Sequence, residues 1–182
     1  MVNAIAPDSN DNSMPPDGMS EWLERACLGG MLRPEVKREL DAASAAYHQD
    51  EVAEAHLQRA FALAPEHPVV HIGLYRFYFY KNRLHEALGV AQRCLVKAAR
   101  DNSLPEDWRA VTSGHTDFTD YDVLPRFYLF TLKACAYLHM RLGDLAAGEA
   151  MVAKLTELDA ADRLGGSVLR GVLARVGKDD DD

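Results

Sequence analysis

Residues 65–99, PEHPVVHIGLYRFYFYKNRLHEALGVAQRCLVKAA, decide the fold, because they read as two helices joined by a short turn. Counted from Pro68, residues of characteristic size recur at the seventh, eleventh, twentieth and twenty-seventh places: Leu74, Tyr78, Ala87 and Cys94. Large residues on one helix and small residues on the next allow two antiparallel helices to approach to about 8–10 Å. The spacing therefore predicts one helical hairpin of a repeat array.

Two further segments keep parts of this spacing. Upstream, the matching residues are Ala53, Ala60 and Pro65, and they follow a predicted helix over residues 34–47 that has a proline in its first turn. Downstream, the residues at equivalent positions are Leu132, Ala136, Gly148 and Leu155, with Gly143 at the turn between two predicted helices. The sequence thus predicts about three helical hairpins in series.

The spacing resembles the tetratricopeptide repeat (TPR), a helix-turn-helix unit of about 34 residues. The third segment departs from the family pattern, since Gly148 and Leu155 stand where alanines are usual and His139 stands where tyrosine is usual. The resemblance implies an all-α fold, in which antiparallel helical hairpins form a TPR-like α-solenoid of about three units and about eight helices. N-terminal and C-terminal capping helices would cover its ends.

The remaining segments predict the organisation of the chain. Residues 1–19 are polar and contain prolines, which predicts a disordered leader, and residues 178–182 form an acidic tail. Residues 20–177 are predicted to be one TPR-like helical domain, with residues 101–124 as an inserted loop. That loop is interpreted either as a binding element or as a packed spacer.

Two amphipathic stretches are predicted to be the capping helices. The first, residues 20–30, starts with a serine and carries Trp22 and Leu23 on its apolar face. The second has an apolar stripe, interpreted as core, at Leu164, Val168, Leu169, Val172, Leu173 and Val176.

In TPR arrays the first helix of each unit lines a concave groove, and the resemblance transfers that role residue by residue. The groove residues predicted to bind a partner are Arg38, Ile72, Arg76, Phe79, Tyr80, Lys133, Tyr137, Met140 and Arg141, to which Trp108 of the inserted loop is added. A basic and aromatic groove in a chain of net charge −8 predicts a protein partner that offers an acidic or C-terminal segment. The alternative is that the aromatic residues are core and the basic residues form a solvated face.

Net charge and composition argue against several classes of function. A charge of −8 disfavours nucleic acid as a partner, and no apolar run reaches the ~20 residues that span a membrane. Three widely spaced cysteines indicate a reducing compartment, which predicts a cytoplasmic protein: Cys27, Cys94 and Cys135. Without a phosphate-binding loop, a nucleophile elbow or a His-Glu-x-x-His motif, the sequence predicts no enzyme, no cofactor and no metal. The alternative of another class is a metal carrier or enzyme that uses three histidines: His67, His71 and His115.

Several longer segments resemble the small TPR proteins associated with proteobacterial nitrogen-fixation gene clusters. These segments are SEWLERA (20–26), GLYRFYFYK (73–81), CLVKAARDNSLPEDWRAV (94–111), PRFYLFTLK (125–133) and the aspartate-rich end. The resemblance implies a non-catalytic accessory factor, an adaptor or assembly chaperone that binds nitrogenase or its maturation proteins. The alternative among interaction proteins is a TPR chaperone of the type III secretion kind, from whose pattern the long insertion departs.

Overall fold

The computed structural model describes residues 31–119 and 122–176, and the regular structure of these residues is entirely helical. Their α-helices are α1 (Pro34–Ala45), α2 (Asp50–Leu63), α3 (Pro68–Tyr80), α4 (Leu84–Asp101), α5 (Val123–Arg141), α6 (Leu145–Leu158) and α7 (Gly166–Val176). A short 3-10 helix covers Trp108–Ala110, and no strand occurs in the described ranges. The all-α class of helical hairpins predicted from the sequence is confirmed. The predicted leader, the N-terminal capping helix with Cys27, and the acidic tail lie outside the described residues.

The described residues divide into two compact units, residues 31–90 and 91–176, with the boundary inside α4. In the first unit, α1 and α2 pack side by side, and α3 packs on α2. The short turn at residues 46–49 makes α1 and α2 an antiparallel hairpin. Buried residues of this hairpin are Val36, Ala43, Ala53, Leu57 and Ala60. Among residues 31–119 and 122–176, no helix combines the length and the apolar character that crossing a membrane requires.

The ends of α1 follow from local rules. Pro34 lies in its first turn, where the missing N–H would have no partner within the helix. The helix ends at Ala45 and not at Tyr47, because the N–H of Tyr47 bonds to the carbonyl of Ser44 (3.2 Å) in a tightened turn. Tyr47 is therefore placed in the turn between α1 and α2.

In the second unit, α5 and α6 form another antiparallel hairpin, and α7 packs on α6 and contacts α5. The turn between α5 and α6 requires a left-handed backbone, which Gly143 adopts with a φ of 84°. Large side chains without measurable exposure fill the core of the second unit, among them Tyr128, Leu132, Leu138, Leu155 and Leu169. The third hairpin and its glycine turn therefore agree with the sequence.

The segment between α4 and α5 belongs to the second unit and packs against other parts of it. Three apolar side chains of this segment are buried: Leu104, Val111 and Phe118. The Lys154 ammonium donates to the Val111 carbonyl at 2.9 Å, and the Arg163 guanidinium donates to the Thr119 carbonyl. The Phe118 ring lies 6.1 Å from the ring of Tyr128 on α5. These contacts agree with the packed-spacer interpretation of the loop.

The apolar stripe of the C-terminal capping helix is only partly core. Leu169 is completely buried, but Val168 is 51% exposed, so the prediction that Val168 is core is wrong. Leu164 is buried in the turn before α7, which begins at Gly166. Neighbouring residues on a helix point about 100° apart, so when Leu169 points inward Val168 is directed away from the core.

Candidate functional site

The ten predicted partner contacts fall into two sets, one in each compact unit. The first unit contains Arg38 on α1 and four residues of α3: Ile72, Arg76, Phe79 and Tyr80. The second unit contains Trp108 of the 3-10 helix and four residues of α5: Lys133, Tyr137, Met140 and Arg141.

Three aromatic rings form a continuous contact along α3. The rings of Tyr75 and Phe79 are stacked, with centroids 5.8 Å apart and planes at 18°. The Phe79 ring meets the ring of Tyr80 edge to face at 5.5 Å. Tyr75 and Phe79 are four residues apart, which brings side chains together on one helix face. Tyr80 is the last of the three rings, and its side chain is 53% exposed although its ring contacts the ring of Phe79.

The other predicted contacts in the first unit differ in exposure. Arg38 is exposed on α1, Arg76 is half-buried on α3, and Ile72 is buried at 8% exposure. Ile72 thus contributes to packing in the structure. Tyr80 and Arg38 are the two exposed members of this set.

In the second unit, Tyr137 and Met140 are buried, at 7% and 1% exposure, and their role in the structure is packing. Arg141 donates to the Tyr137 hydroxyl at 3.1 Å, and its guanidinium lies 5.8 Å from the centre of the same ring. Trp108 is half-buried, with the Arg109 guanidinium 4.5 Å from its ring centre. Trp108 and Arg141 are therefore both only partly exposed in this unit.

Lys133 supports the turn between α6 and α7. Its ammonium donates to the Leu164 carbonyl at 2.6 Å, and burial lowers its pKa against the opposing effect of Asp162 and Asp159. Asp159 is itself buried, and its carboxylate accepts the backbone N–H groups of Arg163 (3.1 Å) and Leu164 (2.8 Å). The lysine predicted as a groove cation thus has a structural contact within its own unit.

Sequence reasoning missed an ion-pair network that joins α2, α3 and the start of α4. Arg83 donates to both carboxylate oxygens of Glu54, at 2.5 and 3.1 Å, and to Glu86 at 2.9 Å. The Tyr78 hydroxyl donates to Glu54 at 2.8 Å and accepts from the Gln58 amide at 2.9 Å. Only Tyr78 gave a sequence signal, as a large residue at a repeat position, and that signal says nothing of its hydroxyl. Glu54 lies 24 residues before Tyr78 and 29 before Arg83, too far for any spacing rule to pair them.

This network predicts a pH-dependent contribution of Glu54 to stability. Hydrogen bonding from Arg83 is the main cause that lowers the pKa of Glu54 below its ordinary value of 4.5. A carboxylate with a depressed folded-state pKa stabilises the protein fully above its unfolded-state pKa, and this effect is lost as the pH falls through the folded-state value. We expect Glu54→Gln to lower the free energy of unfolding by about 1 kcal/mol near neutral pH, and by progressively less below about pH 4. Urea unfolding of the wild type and of Glu54→Gln from neutral pH to below about pH 4 measures the difference. A difference in the free energy of unfolding that stays constant with pH would contradict the prediction.

The histidines of the metal-carrier alternative make local contacts. His67 Nδ1 accepts the Val69 N–H at 3.3 Å as the N-cap of α3, and His71 Nε2 lies 2.7 Å from the Pro65 carbonyl oxygen. His115, in the second unit, accepts the Thr112 N–H at 3.1 Å. Within the described ranges, no three His, Cys, Asp or Glu residues are grouped so that they could hold a metal ion.

The two described cysteines lie in the core of the second unit. Cys94 on α4 and Cys135 on α5 are buried and are not joined in a disulfide. Burial raises the pKa of Cys94 to about 12 and raises that of Cys135 as well. Thiols with raised pKa values are poor nucleophiles at neutral pH, so these two behave as small apolar residues.

Comparison with known proteins gives one informative relative. A protein of Azotobacter chroococcum mcd 1, described as an uncharacterized 19.8 kDa protein in the nifW 5′ region, is 40% identical over 145 residues. The matched region covers 79% of this chain and 80% of the relative. No family model and no solved structure matches the chain.

Proposed function

Because the chain belongs to the family of the Azotobacter nif-region protein, we propose that it is a non-catalytic protein-interaction module that serves nitrogen fixation. In this proposal it is a cytoplasmic adaptor or assembly chaperone, and its partner is nitrogenase or one of its maturation proteins. The observation that carries the proposal is the 40% identity to a protein whose name places it in the nifW 5′ region. The helical hairpins of the fold support the proposal, since stacked helical repeats offer extended surfaces for binding. In this proposal the hairpins are TPR units.

The contact surface proposed in the first unit is the end of α3. Tyr80 is exposed and its ring meets the Phe79 ring edge to face, and aromatic side chains with few rotatable bonds lose little entropy when a partner covers them. Arg76 precedes Tyr80 by one helical turn, and Arg38 is exposed on α1. A partner segment with an apolar side chain and a carboxylate would complement an aromatic ring and a guanidinium group that lie one helical turn apart on α3.

Tyr80 is the residue whose loss tests this surface. We expect Tyr80→Ala to weaken binding to the partner at least about tenfold, because exposed tyrosines at interfaces are frequent hot spots. Val52→Ala is the matched control, since Val52 is an apolar residue of the same unit that is 44% exposed on α2. Affinities of purified wild type and variants for each nitrogenase component and maturation protein are measured by calorimetry. Equal affinities of wild type and Tyr80→Ala would refute the assignment of this surface.

The physiological partner is identified by affinity purification from the native organism, grown either on fixed nitrogen or while fixing nitrogen. We expect nitrogenase or a maturation protein to co-purify in the second condition and to bind the purified chain directly. If no such protein binds directly, the proposed role in nitrogen fixation is wrong, whatever the behaviour of Tyr80.

A further inference from the structure

Three charged or titratable side chains meet on one side of the hairpin formed by α1 and α2. Glu39 of α1 offers one carboxylate oxygen, Oε2, to His56 Nδ1 at 2.7 Å and to Arg59 Nε at 2.9 Å. The terminal nitrogen of the Arg59 side chain also lies 2.7 Å from the same His56 Nδ1. The side chains of His56 and Glu39 are each 25% exposed, so water and protons reach the cluster.

The Nδ1 atom of His56 cannot satisfy both of its neighbours at once. To bond with the Glu39 carboxylate it must carry a hydrogen and donate it, whereas to bond with the Arg59 guanidinium it must present a lone pair. A neutral imidazole with its hydrogen on Nε2 can only accept from Arg59, and a protonated imidazole can only donate to Glu39. If the neutral ring carries its hydrogen on Nε2, protonation of Nδ1 switches the contact from Arg59 to Glu39.

We propose that His56 is a protonation-dependent latch between α1 and α2. In the neutral state Arg59 bridges the two helices, because it donates from Nε to Glu39 and from its terminal nitrogen to His56. In the protonated state His56 donates directly to Glu39, and the terminal nitrogen of Arg59 turns toward solvent. The imidazole Nδ1 gains one proton from solvent in this step; the hydrogen bond from Arg59 is exchanged for one to Glu39, and no other covalent bond is made or broken.

Glu39 and Arg59 are the charged groups that surround the His56 ring. Within the described residues, the charged side chains in contact with His56 are Glu39 from α1 and Arg59 from α2 itself. The third helix packed here is α3, and the hydrogen bonds and ion pair found for His56 in the described ranges go to Glu39 and Arg59 and not to α3. Hydrogen bonds from His56 and then Arg59 lower the pKa of Glu39 below its ordinary value, so its carboxylate stays charged at about pH 5 and above.

The first test reads the position of the ring hydrogen in the unaltered full-length chain. Nitrogen-15 NMR distinguishes a protonated from an unprotonated imidazole nitrogen at His56. We expect an unprotonated Nδ1 and a protonated Nε2 near pH 8, and two protonated nitrogens near pH 5. A hydrogen on Nδ1 at the higher pH would overturn the proposal, because Arg59 could not then donate to that atom.

The second test measures two coupling energies from Glu39→Gln, His56→Gln, Arg59→Gln and the double variants by urea unfolding. On acidification from about pH 8 to about pH 5.5 we expect the coupling of residues 39 and 56 to rise about twofold, since a charge-assisted hydrogen bond replaces a weaker contact. Over the same range the coupling of residues 56 and 59 should disappear. The exposed pair Lys37 and Asp41 on α1, 2.6 Å apart and without a histidine, is the control whose coupling should stay constant. If neither the 39–56 nor the 56–59 coupling energy changes with pH, the proposed latch is wrong.

Discussion

Replacing Leu169 by alanine is expected to lower the free energy of unfolding by about 2–5 kcal/mol. Leu169 is completely buried in the second unit, where α7 packs on α6 and contacts α5. Truncation removes apolar contacts and leaves a cavity that the surrounding helices fill only partly. Urea unfolding of the full-length chain, followed by circular dichroism, measures the loss.

Val168→Ala is the matched control for this prediction. Val168 is the neighbouring residue on the same helix but is 51% exposed, so its truncation should change the free energy of unfolding by less than about 0.5 kcal/mol. The pair separates a true core position from one that only shares the apolar pattern. Equal losses for the two variants would show that the assigned orientation of α7 is wrong.

The elements that the sequence predicted correctly depend on local rules. Pro34 and Pro68 lie in the first turn of α1 and α3, and Gly143 adopts the left-handed backbone that the turn after α5 requires. Neither effect needs information from a distant part of the chain. The hairpin pattern is also local, because large and small residues alternate between helices that follow each other in sequence.

The features that the sequence could not predict depend on contacts between distant residues. Arg83 pairs with Glu54 across two helices, and Lys154 holds the Val111 carbonyl of the inserted segment. The same limit applies to the candidate site, since Ile72 and Tyr80 both fit groove positions but are 8% and 53% exposed. A repeat pattern gives the direction of a side chain along its helix, whereas the neighbouring elements decide how much of it they cover.

Replacing Gly148 by alanine is the second substitution with a large expected effect. A Cβ at this position of α6 would lie 2.5 Å from Met140 Cγ and 3.3 Å from the Ala136 carbonyl oxygen of α5. The repeat pattern has an alanine here, but in this chain the methionine occupies that space. We expect a loss of about 1–3 kcal/mol in the free energy of unfolding, because added volume in a packed interface forces the two helices apart. Urea unfolding of the wild type and the variant measures this loss.

Gly171→Ala is the matched control, since both glycines lie inside helices and a Cβ at Gly171 would meet nothing within 4 Å. Alanine is favoured over glycine in a helix, so Gly171→Ala should raise the free energy of unfolding by about 0.5–1 kcal/mol. The same glycine-to-alanine change is thus expected to lower the free energy of unfolding at position 148 and to raise it at position 171. In a Met140→Ala background the Cγ atom is absent, and Gly148→Ala should then lose most of its cost. A Gly148→Ala loss that persists unchanged in that background would mean that contact with Met140 is not its cause.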